Sequence, residues 1–354
     1  MYRGSEEFKG KFSKIKIIYR SFTPNSERIT PNEFQEGKMQ KPVGIIGGGN
    51  MGEALIAGIT QSGLFNPGEI LFFEPRSDRQ EFLRKKFGVS PAESNQALVS
   101  QVSTLILAVK PQSVPEVLPE IALGITPYHL IISICAGVSI DYIQSFFPNP
   151  IRMIRAMPNT PALIQKGATA LAPSPAAKPE DLSAAEAIFQ SVGMTVVVKE
   201  SQMDAVTGLS GSGPAYIFAV IEALAAGGVK EGLGQDVALA LTTQTVLGSA
   251  YLIQATAKHP ATLRDQVCTP GGTTMAGLYA MEEGGFRLAL MNAVIAATQR
   301  SKELGEALQK PPSSYPFHQQ KRALQYPSVT PGVKRRKGRI KKNPRNIKVT
   351  RKLR

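Results

Sequence analysis

The amino-acid sequence predicts an α/β domain built on a parallel sheet with crossover helices, followed by an all-helical domain. Three observations predict it. Short apolar runs alternate with amphipathic stretches from residue 43 onward, a glycine-rich turn separates the first such run from the first helical stretch, and after about residue 200 the texture changes to long Ala- and Leu-rich segments. At 354 residues and 42% hydrophobic content the chain can bury a substantial core, and its length suggests two domains of ordinary size.

Residues 1–38 show no sustained period, and Met39 stands just before the first strand, so 1–38 reads as a poorly ordered extension. Its acids, Glu6, Glu7, Glu27, Glu33 and Glu36, count against a transit peptide. Candidate strands follow at 43–47, 70–73, 104–109, 130–134, 151–155 and 195–198, with the continuous apolar faces of strands buried on both sides. Helical stretches begin near Met51, Arg76, Asn95, Val114 and Ile140. Beyond Glu200, segments 214–230, 235–257 and 286–304 read as helices, and Gly227-Gly228 with the stretch 232–234 marks the break between the first two. Several are apolar around much of their circumference, as at 223–226 and 238–241, which predicts that they pair with a second copy of the chain. From Pro311 a Pro-rich stretch gives way to a basic run, and 309–354 reads as a disordered tail.

The formal charge of +14 lies in the termini. Residues 309–354 carry +15 and residues 1–38 carry +3, leaving −4 for residues 39–308. The folded body is therefore not expected to bind nucleic acid; the run 334–354 is the one segment with the charge for salt-dependent phosphate contacts. No uninterrupted apolar run approaches the roughly 18 to 20 residues of a spanning helix, so no membrane partner is expected. Cys135 and Cys268 are too few for a disulfide framework and lack zinc-ligand spacing, which predicts a reducing, cytoplasmic setting and no metal.

Gly47-Gly48-Gly49-Asn50-Met51-Gly52 follows a strand directly and opens a helix, the context in which such a turn holds a dinucleotide. Gly47 allows the tight turn, Gly49 lets the backbone approach a pyrophosphate, and Gly52 lets the helix lie close to the strand, while the helix start near Met51 receives the phosphates. This is the plan of an α/β Rossmann dinucleotide-binding domain, residues 39–199. Glu74, at the end of the second strand, can accept hydrogen bonds from both hydroxyls of the adenosine ribose, which favours NADH. Arg76 and Arg79 follow at once and can pair with the extra phosphate of NADPH, so the choice stays open. Ala108-Val109-Lys110-Pro111 closes a buried strand where open sheets place ligands; Lys110 either faces the dinucleotide or caps the sheet edge. Ile134-Cys135-Ala136 occupies the matching place on the next strand, its small residues suited to a flat nicotinamide ring, with Cys135 read as an inert buried thiol. In the helical region, Ser210-Gly211-Ser212-Gly213-Pro214 and the stretch 267–274 both precede helices, where free amides suit a carboxylate. Thr273 and Thr274 either hydrogen-bond a ligand there or cap the helix. His129, His259 and His318 are isolated, which points away from a histidine proton shuttle and toward a reaction such as hydride delivery to a protonated imine.

Five stretches together carry a more specific signal: 46–52, 108–111, Arg155-Ala156-Met157-Pro158-Asn159-Thr160-Pro161, 208–216 and Pro270-Gly271-Gly272-Thr273-Thr274, followed by Gly285-Phe286-Arg287. On these residues the chain, over about residues 40–305, resembles the pyrroline-5-carboxylate reductases. The resemblance implies a Rossmann domain followed by an all-α dimerisation domain, residues 200–308, whose helices interleave with a partner's so that one subunit's substrate loop completes the other's site. It implies reduction of L-1-pyrroline-5-carboxylate to L-proline, the last step of proline biosynthesis, by NADPH or NADH in a dimer or higher homo-oligomer. Ile46 to Met51 (that is, Ile46, Gly47, Gly48, Gly49, Asn50 and Met51), Glu74, Asn95, Ala108, Val109, Lys110 and Pro111 would line the dinucleotide, with Ile134, Cys135 and Ala136 beside the nicotinamide. Glu200, Gln266, Gly271, Gly272, Thr273 and Thr274 would surround the substrate, Thr274 being the catalytic residue whose hydroxyl meets the ring nitrogen. Family members often carry Ser or Thr where Glu74 stands. A β-hydroxyacid dehydrogenase reading requires a catalytic lysine early in the first interdomain helix, where this chain offers Tyr216, Glu222 and only the late Lys230.

Overall fold

The structure, a computed structural model, describes residues 42–308; the expectations for 1–38 and 309–354, and His318, lie outside it. Eight strands form one sheet: β1 (Val43–Ile46), β2 (Ile70–Phe73), β3 (Ser90–Pro91), β4 (Thr104–Leu107), β5 (Leu130–Ser133), β6 (Arg152–Met157), β7 (Gly167–Pro173) and β8 (Gly193–Val197). Their order is β3-β2-β1-β4-β5-β6-β7-β8. Between them run α1 (Asn50–Ser62), α2 (Ser77–Phe87), α3 (Asn95–Gln101), α4 (Val114–Ala122), α5 (Ile140–Gln144) and α6 (Pro179–Gln190). β1, β4 and β5 are buried at every residue, as the uniformly apolar runs require.

The six strands β1–β6 pair in parallel, but β7 runs antiparallel to β6 and β8 parallel to β7, so the sheet is mixed rather than wholly parallel. The connections explain the directions. A crossover helix precedes each parallel neighbour, including α6 between β7 and β8, whereas β6 and β7 are joined by a short segment with one 3-10 turn, Thr160–Ile164, too short for a parallel return.

The helical region begins with α7 (Met203–Val206), passes through a π-helical turn at Thr207–Gly211, and continues as α8 (Gly213–Lys230). α9 (Gln235–Thr256), α10 (Pro260–Val267), α11 (Thr273–Glu283) and α12 (Phe286–Leu308) follow. Contrary to the expectation from sequence, the Gly227-Gly228 pair does not break the chain but lies inside α8. The break falls just after it, where the amides of Glu231 and Leu233 bond back to the carbonyls of Gly227 and Gly228 and Gly232 turns at φ +99°. Helix α12 returns to the sheet domain. Ser301 Oγ donates to Asp204 Oδ1 at 2.7 Å, Tyr216 Oη donates to the carbonyls of Gly208 and Ala293, and a Cβ on Gly305 would stand 2.7 Å from the Gly137 carbonyl.

Two stretches, residues 200–230 and 235–256, are long and apolar enough to cross a membrane by length and composition. Neither is an uninterrupted apolar run, because Thr, Gln and Gly are interspersed. α8 and α11 bury no residue and α9 buries only Ala238, so Phe218, Leu239, Leu241, Leu247 and Tyr279 stand exposed. An apolar face of this extent on a single chain marks an interaction surface.

Candidate active site

The site grows from the point where the strand order reverses. β1 pairs with β2 on one side and β4 on the other, which opens a crevice at the carboxyl ends of these strands. The end of β1 ties both neighbours together: the Gly47 amide donates to the Phe73 carbonyl, and the Ile46 carbonyl accepts the Ala108 amide, each at 2.8 Å. At φ +106°, a Cβ on Gly47 would lie 2.5 Å from the Ala108 carbonyl oxygen, so only glycine fits. A Cβ on Gly52 would meet the Gly47 carbonyl at 2.2 Å, which explains how α1 packs so close to the turn. At Gly49, by contrast, a Cβ would meet nothing within 4 Å. This side of the cradle is open beside the first amides of α1, and the residues present fit a dinucleotide pyrophosphate.

Glu74 directly follows β2 beneath this turn and is almost fully buried. Its Oε2 accepts the Gly48 amide at 2.9 Å, and Oε1 accepts the Arg76 amide at 3.3 Å and Arg76 Nε at 2.8 Å. Burial alone raises the carboxyl pKa; the hydrogen bonds from Arg76 and Gly48 outweigh it and hold the group below its ordinary value. Arg79 is engaged by the protein itself. Its Nε donates to the Gly48 carbonyl at 2.6 Å, its outer nitrogen pairs with Glu53, and its guanidinium lies 4.8 Å from the Phe82 ring centre. It braces the turn from below, a role invisible in sequence because its partners lie 26 and 31 residues away.

The neighbouring strand ends meet the same crevice. Ala108 and Val109 are half-buried, Lys110 is exposed, and Pro111 opens a 3-10 turn. Ile134 and Ala136 are half-buried, whereas Cys135 turns its thiol inward to the carbonyls of Val109 and Leu107. Only the backbone of Cys135 can therefore line a ligand. Asn95, at the start of α3, is buried, donates to Glu120 Oε2 at 2.6 Å, and leaves its Oδ1 without a partner.

The expected substrate residues separate into two groups. Glu200 lies against the loop after β5: its Oε1 accepts the Ile140 amide at 3.1 Å and Arg155 Nη1 at 2.8 Å, while Oε2 is buried without a partner. Arg155, buried, and Asn159, half-buried, neither singled out as a site residue from sequence, position this region. Asn159 accepts the Ala168 amide and donates to the Ser210 carbonyl, linking the sheet to the π turn. Gln266, exposed on α10, and the loop through Gly271, Gly272, Thr273 and Thr274 form the second group. The loop is self-contained: the Gly272 amide donates to the Thr269 carbonyl, and the Met275 and Ala276 amides donate to the Gly272 carbonyl. Gly272, not a threonine, caps α11, and neither threonine hydroxyl is committed to a hydrogen bond among the described residues. The other glycine-rich stretch, 210–214, offers no comparable helix start. Ser210 and Gly211 end the π turn, Gly213 and Pro214 open α8 as its continuation, and the Ser212 amide is spent on the Thr207 carbonyl. His129 and His259 make local hydrogen bonds to backbone amides at 126 and 261, and no cluster among the described residues could hold a metal.

Residues 200–304 match a family model for pyrroline-5-carboxylate reductase dimerisation, and residues 42–137 match a model for coenzyme F420-dependent NADP oxidoreductases. A pyrroline-5-carboxylate reductase of Synechocystis is 48% identical over 268 residues, covering 76% of this chain and 100% of the relative. The Arabidopsis thaliana enzyme is 40% identical, over 75% of this chain and 96% of its own length. Among solved structures, the Plasmodium falciparum pyrroline carboxylate reductase with NADP bound superposes with a TM-score of 0.70 at 32% identity, covering 76% of this chain and all of that one. The chain belongs to the pyrroline-5-carboxylate reductases, NAD(P)H-dependent oxidoreductases of proline biosynthesis that reduce L-1-pyrroline-5-carboxylate to L-proline.

Proposed function

We propose that this chain performs the family's reduction in a site divided between two copies of itself. In this reading residues 39–199 hold the dinucleotide, with Ile46 to Met51, Glu74, Asn95 and Ala108 to Pro111 around it and the backbone of Ile134 to Ala136 beside the nicotinamide. Residues 200–308 supply the dimer contacts and the loop that receives the substrate. The start of α11 carries this assignment: the Thr273 and Thr274 amides make no backbone hydrogen bond and the hydroxyls of both threonines are uncommitted among the described residues. Amides there suit a carboxylate, and the Thr274 hydroxyl suits the ring nitrogen. When bound, the reduced nicotinamide supplies the hydride that adds to the carbon of the C=N bond. The chain's own residues need only orient the protonated nitrogen, in keeping with histidines committed to backbone contacts.

Thr274→Ala should lower kcat by about a hundredfold, within the range of lost positioning contacts, while dinucleotide affinity by fluorescence titration stays at the parental value. Full activity in that variant would remove Thr274 from the mechanism. The exposed faces of α8 and α9 are read as sites for a second copy of the chain rather than a bilayer, which the match to a dimerisation model supports. The charge of −4 over residues 39–308 supports a body that does not bind nucleic acid, and two free cysteines support a cytoplasmic setting.

A further inference from the structure

Resting on the reading that the turn at 47–52 holds a dinucleotide, we infer that Glu74 makes this chain favour NADH over NADPH, because its carboxylate is locked where the adenosine 2′-phosphate would have to sit.

The lock is geometric. A carboxylate at the end of β2 could swing aside for a phosphate if its oxygens were free, but here Oε2 is held by the Gly48 amide, part of the turn itself, and Oε1 by the Arg76 amide and Nε. The side chain is 8% exposed, and a Cβ on Gly48 would stand 3.1 Å from Oε2, so the carboxylate fills the space under the turn. A carboxylate has about four lone-pair directions; three are used here, which leaves Oε2 one to accept a ribose hydroxyl. A ribose diol can satisfy that acceptor, whereas a phosphate brings only acceptors and a second negative charge.

The cations nearby do not reverse this balance. Arg79 is committed to the Gly48 carbonyl, Glu53 and the Phe82 ring, and releasing it would unbrace the turn. Arg76, whose side chain is 60% exposed beside Glu74, is the guanidinium best placed for a 2′-phosphate among the described residues, and it already neutralises Glu74. One cation then faces a carboxylate and a phosphate together, and the incoming dianion is left undercompensated. Arg76 therefore moderates the preference that Glu74 sets.

The test uses the full-length protein and two ligands without the nicotinamide, ADP-ribose and 2′-phospho-ADP-ribose, titrated calorimetrically. The wild-type chain should bind ADP-ribose at least about tenfold more tightly, the scale of a like-charge clash at a binding site. Glu74→Ser should invert the ratio. Glu74→Gln, which keeps the shape and an acceptor for the Gly48 amide, should bring the two affinities to within about threefold of each other once the charge clash is gone. Arg76→Ala should widen the wild-type gap. Equal affinities in the wild type, or an unchanged ratio in both Glu74 variants, would overturn the inference while leaving the dinucleotide site intact. Binding of neither ligand by the wild type would overturn the site itself and the inference with it.

Discussion

Burial sets what Cys135 and Asp181 can do. Burial pushes the Cys135 thiol up to about 11, and its Sγ donates to the carbonyls of Val109 and Leu107, so it is a thiol and not a thiolate at neutral pH. Native protein at pH 8 should leave Cys135 unlabelled by iodoacetamide until denaturant is added, read by peptide mass spectrometry; labelling in the native state would contradict the packing. Asp181, 1% exposed, sits in the first turn of α6 and accepts the Lys178 amide at 2.8 Å and Arg152 Nε at 2.9 Å. Burial by itself raises its carboxyl pKa, but the hydrogen bonds from Arg152 and Lys178 prevail and hold it below the unfolded value. A depressed folded pKa contributes stability that is complete above the unfolded value, about 4, and is lost as pH falls through the folded one. Asp181→Asn should therefore flatten the fall in Tm below about pH 4 and cost roughly 3 kcal/mol at pH 7, where Arg152 loses its partner.

Among the elements, those that sequence displayed plainly are the ones whose composition matches their environment. The buried strands β1, β4 and β5 are β-branched and Leu-rich and start at the residues expected. β7 reads GATALAP, with little strand propensity, and its reversed direction is encoded in the short link from β6 rather than in its own residues. Likewise the two-residue β3 and the helices α6 and α10 are too brief or too mixed to show a sustained period. In the site, the glycine turn and Glu74 were legible because their spacing is local. The Arg155–Glu200 pair, 45 residues apart, and the bracing by Arg79 leave no such pattern. Glycines at 208 and 211 permit close packing that no local pattern announces: a Cβ on Gly208 would lie 2.3 Å from Thr298 Oγ1, and one on Gly211 2.7 Å from Met157 Cε. Gly208→Ala should push α12 away from the π turn and lower stability by about 2 kcal/mol in urea unfolding, as overpacking does.

For the whole molecule, the proposed shared site ties the exposed apolar faces of α8, α9 and α11 to the loop of 270–274. Leu241, 57% exposed on α9, can be exchanged for glutamate without disturbing the single chain's interior. Leu241→Glu should yield monomers by sedimentation velocity and little activity. A sharper check mixes two inactive chains, Thr274→Ala and Gly52→Val, the latter blocked because any Cβ there meets the Gly47 carbonyl. If each site joins one copy's turn to the other's loop, half of randomly mixed dimers carry one sound site, and activity should recover to about a quarter of wild type. No recovery would place both halves of the site in the same chain. The helical region also buries little of its own apolar surface, so much of its burial has to come from a second chain. Its folding then obeys mass action: melting should move to higher temperature as the protein is concentrated, and dilution alone should switch the enzyme off.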